Sequence, residues 1–303
     1  MPTVLITGAS GLLGRAVLSA FQRSPFGWKA VGTAFSRTAG GLLPLDLLDP
    51  VATATAVDTV APDAVIHCAA ERRPDVGAKD PGRLRRLNVE ATGRLAAAAA
   101  LRGAWMLLVS TDYVFDGTTP PYPEDAPTCP LNDYGLSKRD AERALWQTAH
   151  DAAVLRVPIL FGPTDDLEES AVTAGVARAL RDPDTVRYDC DAWAVRHPTG
   201  TVDVAAAIVA LAELRAAEGP SPQVAGTFHF SAPERMTKYD MAREIAGLFG
   251  CDPSILRPLE RPSPDAAPRP KDSALSCARL DALGISSHTP FRQALAEALR
   301  DAR

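Results

Sequence analysis

Two side chains able to transfer a proton lie four residues apart, the phenol of Tyr134 and the ammonium of Lys138. The surrounding pattern predicts a helix, so both side chains project from one helix face. We expect the ammonium to lower the pKa of the phenol from its usual value of about 10. The same lysine is suited to holding the ribose of a nicotinamide cofactor. A chance YxxxK spacing is the alternative interpretation.

Thr111 ends the apolar run that precedes this helix, and its hydroxyl is expected to polarise a substrate carbonyl beside Tyr134. Open α/β sheets bind ligands at the carboxyl ends of their strands, which is where Thr111 is predicted to lie. Thr111, Tyr134 and Lys138 together therefore predict acid–base catalysis at a carbonyl group.

A glycine-rich segment at positions 7–14, TGASGLLG, follows the first predicted strand and begins a helix. Glycine at Gly8, Gly11 and Gly14 permits a tight turn and close approach of the backbone to a pyrophosphate, whose charge then lies at the helix N-terminus. The position at the first strand–helix crossover predicts a dinucleotide site. A glycine turn without function is the alternative.

The second predicted strand ends at Phe35, Ser36 and Arg37. An NAD site usually has an acidic residue here to bind the ribose 2′-hydroxyl. A hydroxyl and a guanidinium instead suit a 2′-phosphate, so the sequence favours NADP(H) over NAD, with a solvated surface arginine as the alternative. Asp46, after the next apolar run, is placed to reach the adenine edge.

The first half of the chain alternates apolar strands with helical stretches, which is typical of βαβ units and a parallel sheet. The predicted strands are Thr3–Thr7, Ala30–Phe35, Ala64–Cys68, Trp105–Ser110 and Ala153–Val157. The predicted helices between them are Leu12–Gln22, Pro50–Val60, Pro81–Leu101 and Leu136–His150. We therefore expect an α/β fold with a doubly wound parallel Rossmann sheet.

The regularity changes after Val157, which predicts a smaller mixed α/β substrate domain. We assign residues 1–157 and 196–226 to the NADP-binding Rossmann domain and residues 158–195 and 227–303 to the substrate or partner domain. Later elements are expected at Glu169–Leu180, Val202–Leu214, Thr227–Ser231, Lys238–Phe249 and Pro290–Arg300. The proline-rich stretch Pro253–Pro270 is expected to be extended surface chain without an element of its own.

Composition excludes several function classes. Hydrophobic residues make up 46% and charged residues 23% of the 303 residues, and the net charge is −5. No basic surface is expected, so we predict no nucleic-acid and no membrane partner. The five cysteines lack a CxxC pair and the five histidines lack metal-binding spacing, so no metal site is predicted. The N-terminus leads directly into a strand and not into a signal peptide, which favours a cytoplasmic protein.

The combination of these motifs resembles the extended short-chain dehydrogenase/reductases. The run STDYVFDG at positions 110–117 is similar to that of the dTDP-4-dehydrorhamnose reductase (RmlD-like) family. Four further runs are similar to the regulatory β subunit of methionine adenosyltransferase: HCAAERRPDV from 67, LEESAVT from 167, MTKY from 236 and TPFR from 289. The resemblance therefore covers almost the whole chain.

The resemblance implies further cofactor contacts. Ser10, Gly11, Leu12 and Leu13 would contact the pyrophosphate, and Leu47 would flank the adenine together with Asp46. Other positions would line the cofactor cleft or its nicotinamide side: Cys68, Ala69, Ala70, Arg72 and Leu160. Asn88, which we also count among the cofactor-binding residues, matches a position that supports the catalytic lysine in the wider superfamily.

Two functions remain open from sequence. The intact trio favours an NADPH-dependent reductase acting on a small-molecule carbonyl substrate, a nucleotide sugar being the family's commonest one. The whole-chain resemblance implies, as the alternative, a regulatory subunit that binds NADP and a methionine adenosyltransferase catalytic subunit. Rhamnose-pathway reductases usually carry a tryptophan near the segment that here reads RVPILFG from Arg156. Its absence from this segment argues against a dTDP-sugar substrate.

Overall fold

The computed structural model describes residues 1–164, 166–182, 184–262, 266–286 and 288–300. The strands are, in chain order, β1 (Thr3–Thr7), β2 (Lys29–Ala34), β3 (Leu43–Pro44), β4 (Ala64–His67), β5 (Trp105–Thr111), β6 (Ala153–Val157), β7 (Leu160–Phe161), β8 (Tyr188–Asp191), β9 (Thr199–Gly200), β10 (Gly226–His229) and β11 (Leu256–Leu259). The helices are α1 (Leu12–Arg23), α2 (Pro50–Val60), α3 (Pro74–Gly77), α4 (Pro81–Arg85), α5 (Ala91–Leu101), α6 (Asp133–Trp146), α7 (Val176–Arg181), α8 (Thr201–Glu218), α9 (Lys238–Phe249), α10 (Ala278–Ala282) and α11 (Phe291–Ala298).

Seven strands form one sheet in the order β10-β6-β5-β4-β1-β2-β3, and its paired strands run parallel. Six of them have the order 3-2-1-4-5-6 expected of a doubly wound fold. The strand residues are apolar almost without interruption because helices cover both faces, so every residue of β4 and β6 is buried. This arrangement confirms the predicted fold class.

Each face of the sheet has its own hydrophobic core. On one face, α1 contributes Leu13, Val17 and Phe21, which pack with residues of α8 such as Ile208 and Leu211. On the other face, α2, α5 and α6 pack through side chains that include Val57, Leu95, Ala96, Ala141 and Leu145. The strands' carboxyl ends stay uncovered by these cores and form the floor of a cleft.

A third core lies outside the sheet. It combines Phe161, Val176, Cys190, Ile245 and Leu295, from β7, α7, β8, α9 and α11. The small parallel pairs β8–β11 and β7–β9 belong to this region. The division into two domains stays a prediction, with one correction: the proposed boundary at residue 226 cuts β10 after its first residue, although the whole strand pairs with β6 in the main sheet. Phe228 and Phe230 explain this, because both are buried in the core of the α1 face.

Several other expected elements differ in the structure. The predicted helix Pro81–Leu101 is divided by a π-helical turn, Arg86–Glu90, between α4 and α5. The predicted helix Glu169–Leu180 shortens to α7, because Leu167–Glu169 forms a 3-10 turn and Gly175, with φ of 75°, is the N-cap that precedes the helix. The stretch Pro253–Pro270 contains β11, so that expectation was wrong there; residues 263–265 lie outside the described residues.

No helix within the described ranges is both long and apolar enough to cross a membrane.

Candidate functional site

The glycine-rich loop is shaped by positions that a side chain would obstruct. Gly8 has φ of +68°, and a Cβ at Gly14 would lie 2.1 Å from the Gly8 carbonyl oxygen. The Gly11 amide donates to that carbonyl at 2.9 Å. No side chain caps the N-terminus of α1, so its first amide groups are available to an anion. The loop therefore fits a cofactor pyrophosphate.

A cavity of about 600 Å³ lies at the carboxyl ends of the central strands. It brings together nearly all the predicted site residues: Gly8, Ser10, Gly11, Leu12, Leu13, Gly14, Phe35, Ser36, Arg37, Asp46, Leu47, Cys68, Ala69, Ala70, Arg72, Thr111, Tyr134, Lys138 and Leu160. Phe35 is 67% exposed at this cavity, where a flat apolar base would cover it. The residues present thus fit a nicotinamide dinucleotide.

Asn88 lies outside this cavity, which corrects its assignment as a cofactor contact. Its side chain is buried, and its Nδ2 donates to the Glu71 carbonyl and to Ser137 Oγ at 3.0 Å each. Its Oδ1 accepts from the Glu71 amide at 2.9 Å. Asn88 therefore fastens the loop after β4 to α6, and the π-helical turn that contains it presents the amide to both.

Tyr134 and Lys138 occupy the first two turns of α6, which begins earlier than predicted. Asn132 is the N-cap, and its side chain accepts a hydrogen bond from the Gly135 amide at 2.9 Å. Gly135 is required because a Cβ there would lie 2.2 Å from the Tyr113 carbonyl oxygen. The helix can therefore approach the end of β5 and place Tyr134 beside Thr111.

The expected lowering of the Tyr134 pKa by Lys138 was wrong. Burial raises the pKa of the phenol, although a hydrogen bond with Thr111 opposes this. Lys138 instead donates to the Val109 carbonyl at 2.7 Å, and burial lowers its own pKa to about 8. Tyr134 is consequently protonated at neutral pH and available as a proton donor.

A buried ion pair lies beneath the trio. Arg156 Nη2 contacts Glu142 Oε2 at 2.8 Å, and the two side chains are 5% and 2% exposed. Ser110 Oγ donates to Glu142 Oε1 at 2.5 Å. Glu142 follows Lys138 by one helical turn and raises its pKa against the effect of burial. The pair therefore ties α6 to β5 and β6 below the reactive side chains.

His67 has the structural role that its apolar surroundings suggest. Thr92 Oγ1 donates to the Asn88 carbonyl at 2.7 Å, so it accepts from His67 Nε2 at 3.0 Å. His67 Nδ1 is then the acceptor for Thr7 Oγ1 at 2.6 Å. Burial, with the charge of Lys138, lowers the histidine pKa to about 3. A neutral imidazole thus links β1, β4 and α5.

The far end of the cavity contains residues to which sequence reasoning gave no role. Asp112 accepts from Ser273 Oγ at 2.5 Å and from Thr111 Oγ1 at 3.1 Å, and burial raises its pKa. The Tyr113 ring lies edge-on to the Tyr134 ring, with centroids 6.1 Å apart. Lys238 and Arg269 also line this end. In the sequence, Asp112 and Tyr113 were marked only by their place in the STDYVFDG run.

Three arginines beside the glycine loop contact one acidic residue, Glu169. Arg15 Nη2 and Glu169 Oε2 are 2.6 Å apart, Arg37 Nη1 bonds to Oε1, and Arg72 Nη2 donates to the Glu169 backbone carbonyl. Sequence analysis missed Arg15 and Glu169 because they are separated by 154 residues. Asp165, in the same acidic run as Glu169, lies outside the described residues.

The chain is similar in sequence to known proteins over nearly its whole length. The model of a family described as RmlD substrate binding domain matches residues 2–303. The chain is 45% identical over 296 residues to methionine adenosyltransferase 2 subunit beta of Rattus norvegicus, covering 98% of this chain and 86% of that protein. It is 34% identical over 303 residues to dTDP-4-dehydrorhamnose reductase of Streptomyces griseus, covering 98% and 92%.

Two solved structures have the same fold as this chain over nearly its whole length. A dTDP-4-dehydrorhamnose reductase from Clostridium acetobutylicum superposes with a TM-score of 0.83 at 26% identity, covering 99% of each chain. One from Bacillus anthracis, solved in complex with NADP, superposes with a TM-score of 0.82 at 24% identity, covering 99% of this chain and 98% of that chain.

Proposed function

Because the chain belongs to the RmlD substrate-binding domain family, we propose that it is an NADPH-dependent reductase of the short-chain dehydrogenase/reductase superfamily. Its substrate would be a carbonyl group of a small molecule or nucleotide sugar. The observation that carries the proposal is the placement of Thr111, Tyr134 and Lys138 in the same cavity as the glycine loop. The 34% identity to a dTDP-4-dehydrorhamnose reductase supports it.

The chain's own residues would hold the cofactor along the cavity. The amides at the start of α1 would bind the pyrophosphate, Arg37 would bind the 2′-phosphate, and Phe35 with Asp46 would border the adenine. When bound, NADPH supplies a hydride to the carbonyl carbon. Lys138 would hold the nicotinamide ribose. For this its ammonium group must either leave the Val109 carbonyl or donate its other protons to the ribose while it keeps that hydrogen bond.

Three side chains would then complete the reduction. Thr111 orients the substrate carbonyl by donating a hydrogen bond to its oxygen, for which its hydroxyl proton must turn from Asp112 to the substrate. Tyr134 transfers its phenolic proton to that oxygen as negative charge develops there. Lys138 keeps the nicotinamide ribose beside them, and a solvent proton then replaces the one that Tyr134 has transferred.

A second function is supported by the 45% identity, over nearly the whole chain, to methionine adenosyltransferase 2 subunit beta. In that case the chain would bind NADP(H) and regulate a methionine adenosyltransferase catalytic subunit. Tyr134 and Lys138 would then serve only to hold the ribose. The stretch from Arg156 to Gly162 lacks the tryptophan usual in rhamnose-pathway reductases, which is compatible with this alternative.

A paired calorimetric titration distinguishes the two functions. NADPH is titrated into the protein first, and a purified methionine adenosyltransferase catalytic subunit is then titrated into the complex. Binding of NADPH without the subunit, followed by NADPH oxidation with one member of a carbonyl panel, is the result expected of a reductase. Sub-micromolar binding of the subunit, with no oxidation across the panel, would establish the regulatory function instead.

A further inference from the structure

Glu169 brings together three guanidinium groups that come from different parts of the Rossmann sheet. Arg15 lies in α1, Arg37 follows β2, and Arg72 follows β4. All three donate to Glu169, two to its carboxylate and one to its backbone carbonyl. Thr164 Oγ1 also bonds to Oε2 at 2.9 Å. This is a built cluster around one carboxylate, whose side chain is 13% exposed.

The cluster lies where the phosphates of a dinucleotide would bind. Arg37 and Arg72 line the cavity, and Arg15 Nη1 donates to the Ser10 carbonyl of the glycine loop at 2.7 Å. Arg37 is also the residue that would select a 2′-phosphate. In the cofactor-free chain, the guanidinium expected to recognise that phosphate is therefore already paired with an anion of the protein itself.

The charges favour exchange of this anion on cofactor binding. The three arginines and Glu169 carry a net charge of about +2, and Glu169 is ionised because burial is outweighed by the hydrogen bonds from Arg15 and Arg37, which lower its pKa to about 2. A 2′-phosphate carries up to two negative charges and three acceptor oxygens, so it binds a guanidinium more strongly than a carboxylate does. Keeping both anions on Arg37 would place like charges side by side.

We propose that Glu169 is a specificity-determining residue: its carboxylate occupies Arg37 in the free protein and is displaced from it by the 2′-phosphate of NADP(H). NADH lacks that phosphate and leaves the Glu169–Arg37 pair intact. Glu169 thus weakens the binding of the phosphorylated cofactor selectively. This inference rests on the NADP(H) binding included in the proposed function, and it holds for either the reductase or the regulatory subunit.

Displacement of Glu169 would also reach the substrate end of the cavity. Glu169 precedes Ser170, whose hydroxyl donates to the Leu160 carbonyl at 3.1 Å, and Ala171, which lines the cavity as Leu160 does. Binding of the 2′-phosphate would therefore remove one of the contacts that hold the wall formed by residues 167–173, while the contacts of Glu169 with Arg15 and Arg72 remain. The non-phosphorylated cofactor would leave that wall in place.

The test measures dissociation constants of NADPH and NADH by calorimetry for the unaltered protein and for Glu169→Gln. The amide keeps the size of the side chain and removes its charge, so we expect NADPH to bind about tenfold more tightly and NADH to change by less than about threefold. Glu168→Gln is the matched control, because its carboxylate accepts from the Gly175 amide and contacts none of the three arginines. It should change neither constant.

A double-variant cycle and a second readout complete the test. In an Arg37→Ala background the effect of Glu169→Gln on NADPH binding should disappear, since the pair is already broken. Hydrogen exchange of the amides in residues 169–173 should increase when NADPH binds to the unaltered protein and stay constant with NADH.

The inference would be overturned by weaker NADPH binding of Glu169→Gln, by equal gains for both cofactors, or by amide exchange that responds equally to both cofactors. Absence of NADPH binding by the unaltered protein would overturn the proposed function as well, whereas binding without an effect of Glu169→Gln would overturn only the role of Glu169.

Discussion

At the scale of single residues, burial decides the protonation states in the cavity. Tyr134 keeps its proton because burial raises its pKa, and Lys138 has its pKa lowered to about 8 by burial. Asp112, with its pKa raised by burial, accepts hydrogen bonds from Ser273 and Thr111. The cavity therefore places the phenolic proton donor Tyr134 directly beside the hydroxyl of Thr111, as the proposed carbonyl reduction requires.

Removing the proton donor should abolish turnover without removing the cofactor. For Tyr134→Phe we expect the rate of NADPH oxidation to fall at least about 100-fold, as loss of a general acid does, while the dissociation constant of NADPH stays within a few-fold. Steady-state kinetics and calorimetry check this. Tyr239→Phe, in the core outside the sheet, is the control and should leave the rate unchanged. Turnover that survives Tyr134→Phe would show that another group donates the proton.

Removing the guanidinium predicted to bind the 2′-phosphate should affect one cofactor selectively. Arg37→Ala should weaken NADPH binding much more than NADH binding, because only NADPH presents that phosphate. Competition binding with both cofactors measures the ratio. Arg23→Ala, at the exposed end of α1, is the matched control, since the one side-chain hydrogen bond of its guanidinium within the described part of the chain is to Ser19. Equal losses for both cofactors would remove the basis for a preference for NADPH.

At the scale of elements, close backbone approach determines where the chemistry can occur. Gly14 lets α1 lie against the loop that begins at Gly8, and Gly135 lets α6 lie against the end of β5. The π-helical turn before α5 turns Asn88 towards both Glu71 and Ser137. The reactive residues are thus positioned by contacts between elements and not by their own hydrogen bonds alone.

A methyl group at Gly14 should disrupt this packing. Gly14→Ala places a Cβ within 2.1 Å of the Gly8 carbonyl oxygen, so we expect the free energy of unfolding to fall by about 2 kcal/mol or more and NADPH binding to weaken. Gly93→Ala is the control in α5, where the nearest atom is 3.6 Å away. It should be neutral or stabilising by about 0.5 kcal/mol. Chemical denaturation measures the free energy of unfolding of both variants. Equal values for Gly14→Ala and Gly93→Ala would refute the steric argument.

At the scale of the whole molecule, buried neutral histidines link the parts of the fold. His67 joins β1, β4 and α5, while His229 in β10 accepts from Arg156 of β6 and donates from Nδ1 to the Ser276 carbonyl. Burial is the larger cause of a pKa near 3 for each. Protonation of either ring would place a buried charge near a cation, Lys138 for His67 and Arg156 for His229.

These histidines predict the acid sensitivity of the fold. The unfolded chain binds protons at these rings below about pH 6.5, whereas the folded chain does so only near pH 3, so the free energy of unfolding should fall as the pH decreases through this window. Each histidine contributes up to about 1.4 kcal/mol per pH unit. Denaturant unfolding at pH 7.5, 6 and 5 measures the slope.

A variant identifies the source of that slope. His229→Gln should reduce the slope by about one proton, whereas His150→Gln, at an exposed position, should leave it unchanged. Acidic side chains with lowered pKa values, such as Glu169 at about 2, stabilise the folded chain in this pH range. Their contribution to the free energy of unfolding is lost only at more acidic pH, so it does not affect the slope. Constant stability between pH 6.5 and 5 would contradict the assignment.

Local pattern determined much of this protein. Apolar runs and helical spacing predicted β1, α2 and α9 to the residue, because burial on one or both faces imposes a period that a short window of sequence shows. Glycine and hydroxyl residues at the ends of predicted strands also indicated which residues line the cavity, because parallel strands bring their carboxyl ends to one edge of the sheet.

Only the tertiary structure decided the contacts between distant segments. Glu169 meets Arg37 across 132 residues and Ser273 meets Asp112 across 161, and no local period encodes either pair. The same is true of Lys138, whose partner is a strand carbonyl instead of the phenol one turn away. Such pairings depend on the path of loops over the sheet, and burial then sets the charge of each group once the fold has enclosed it.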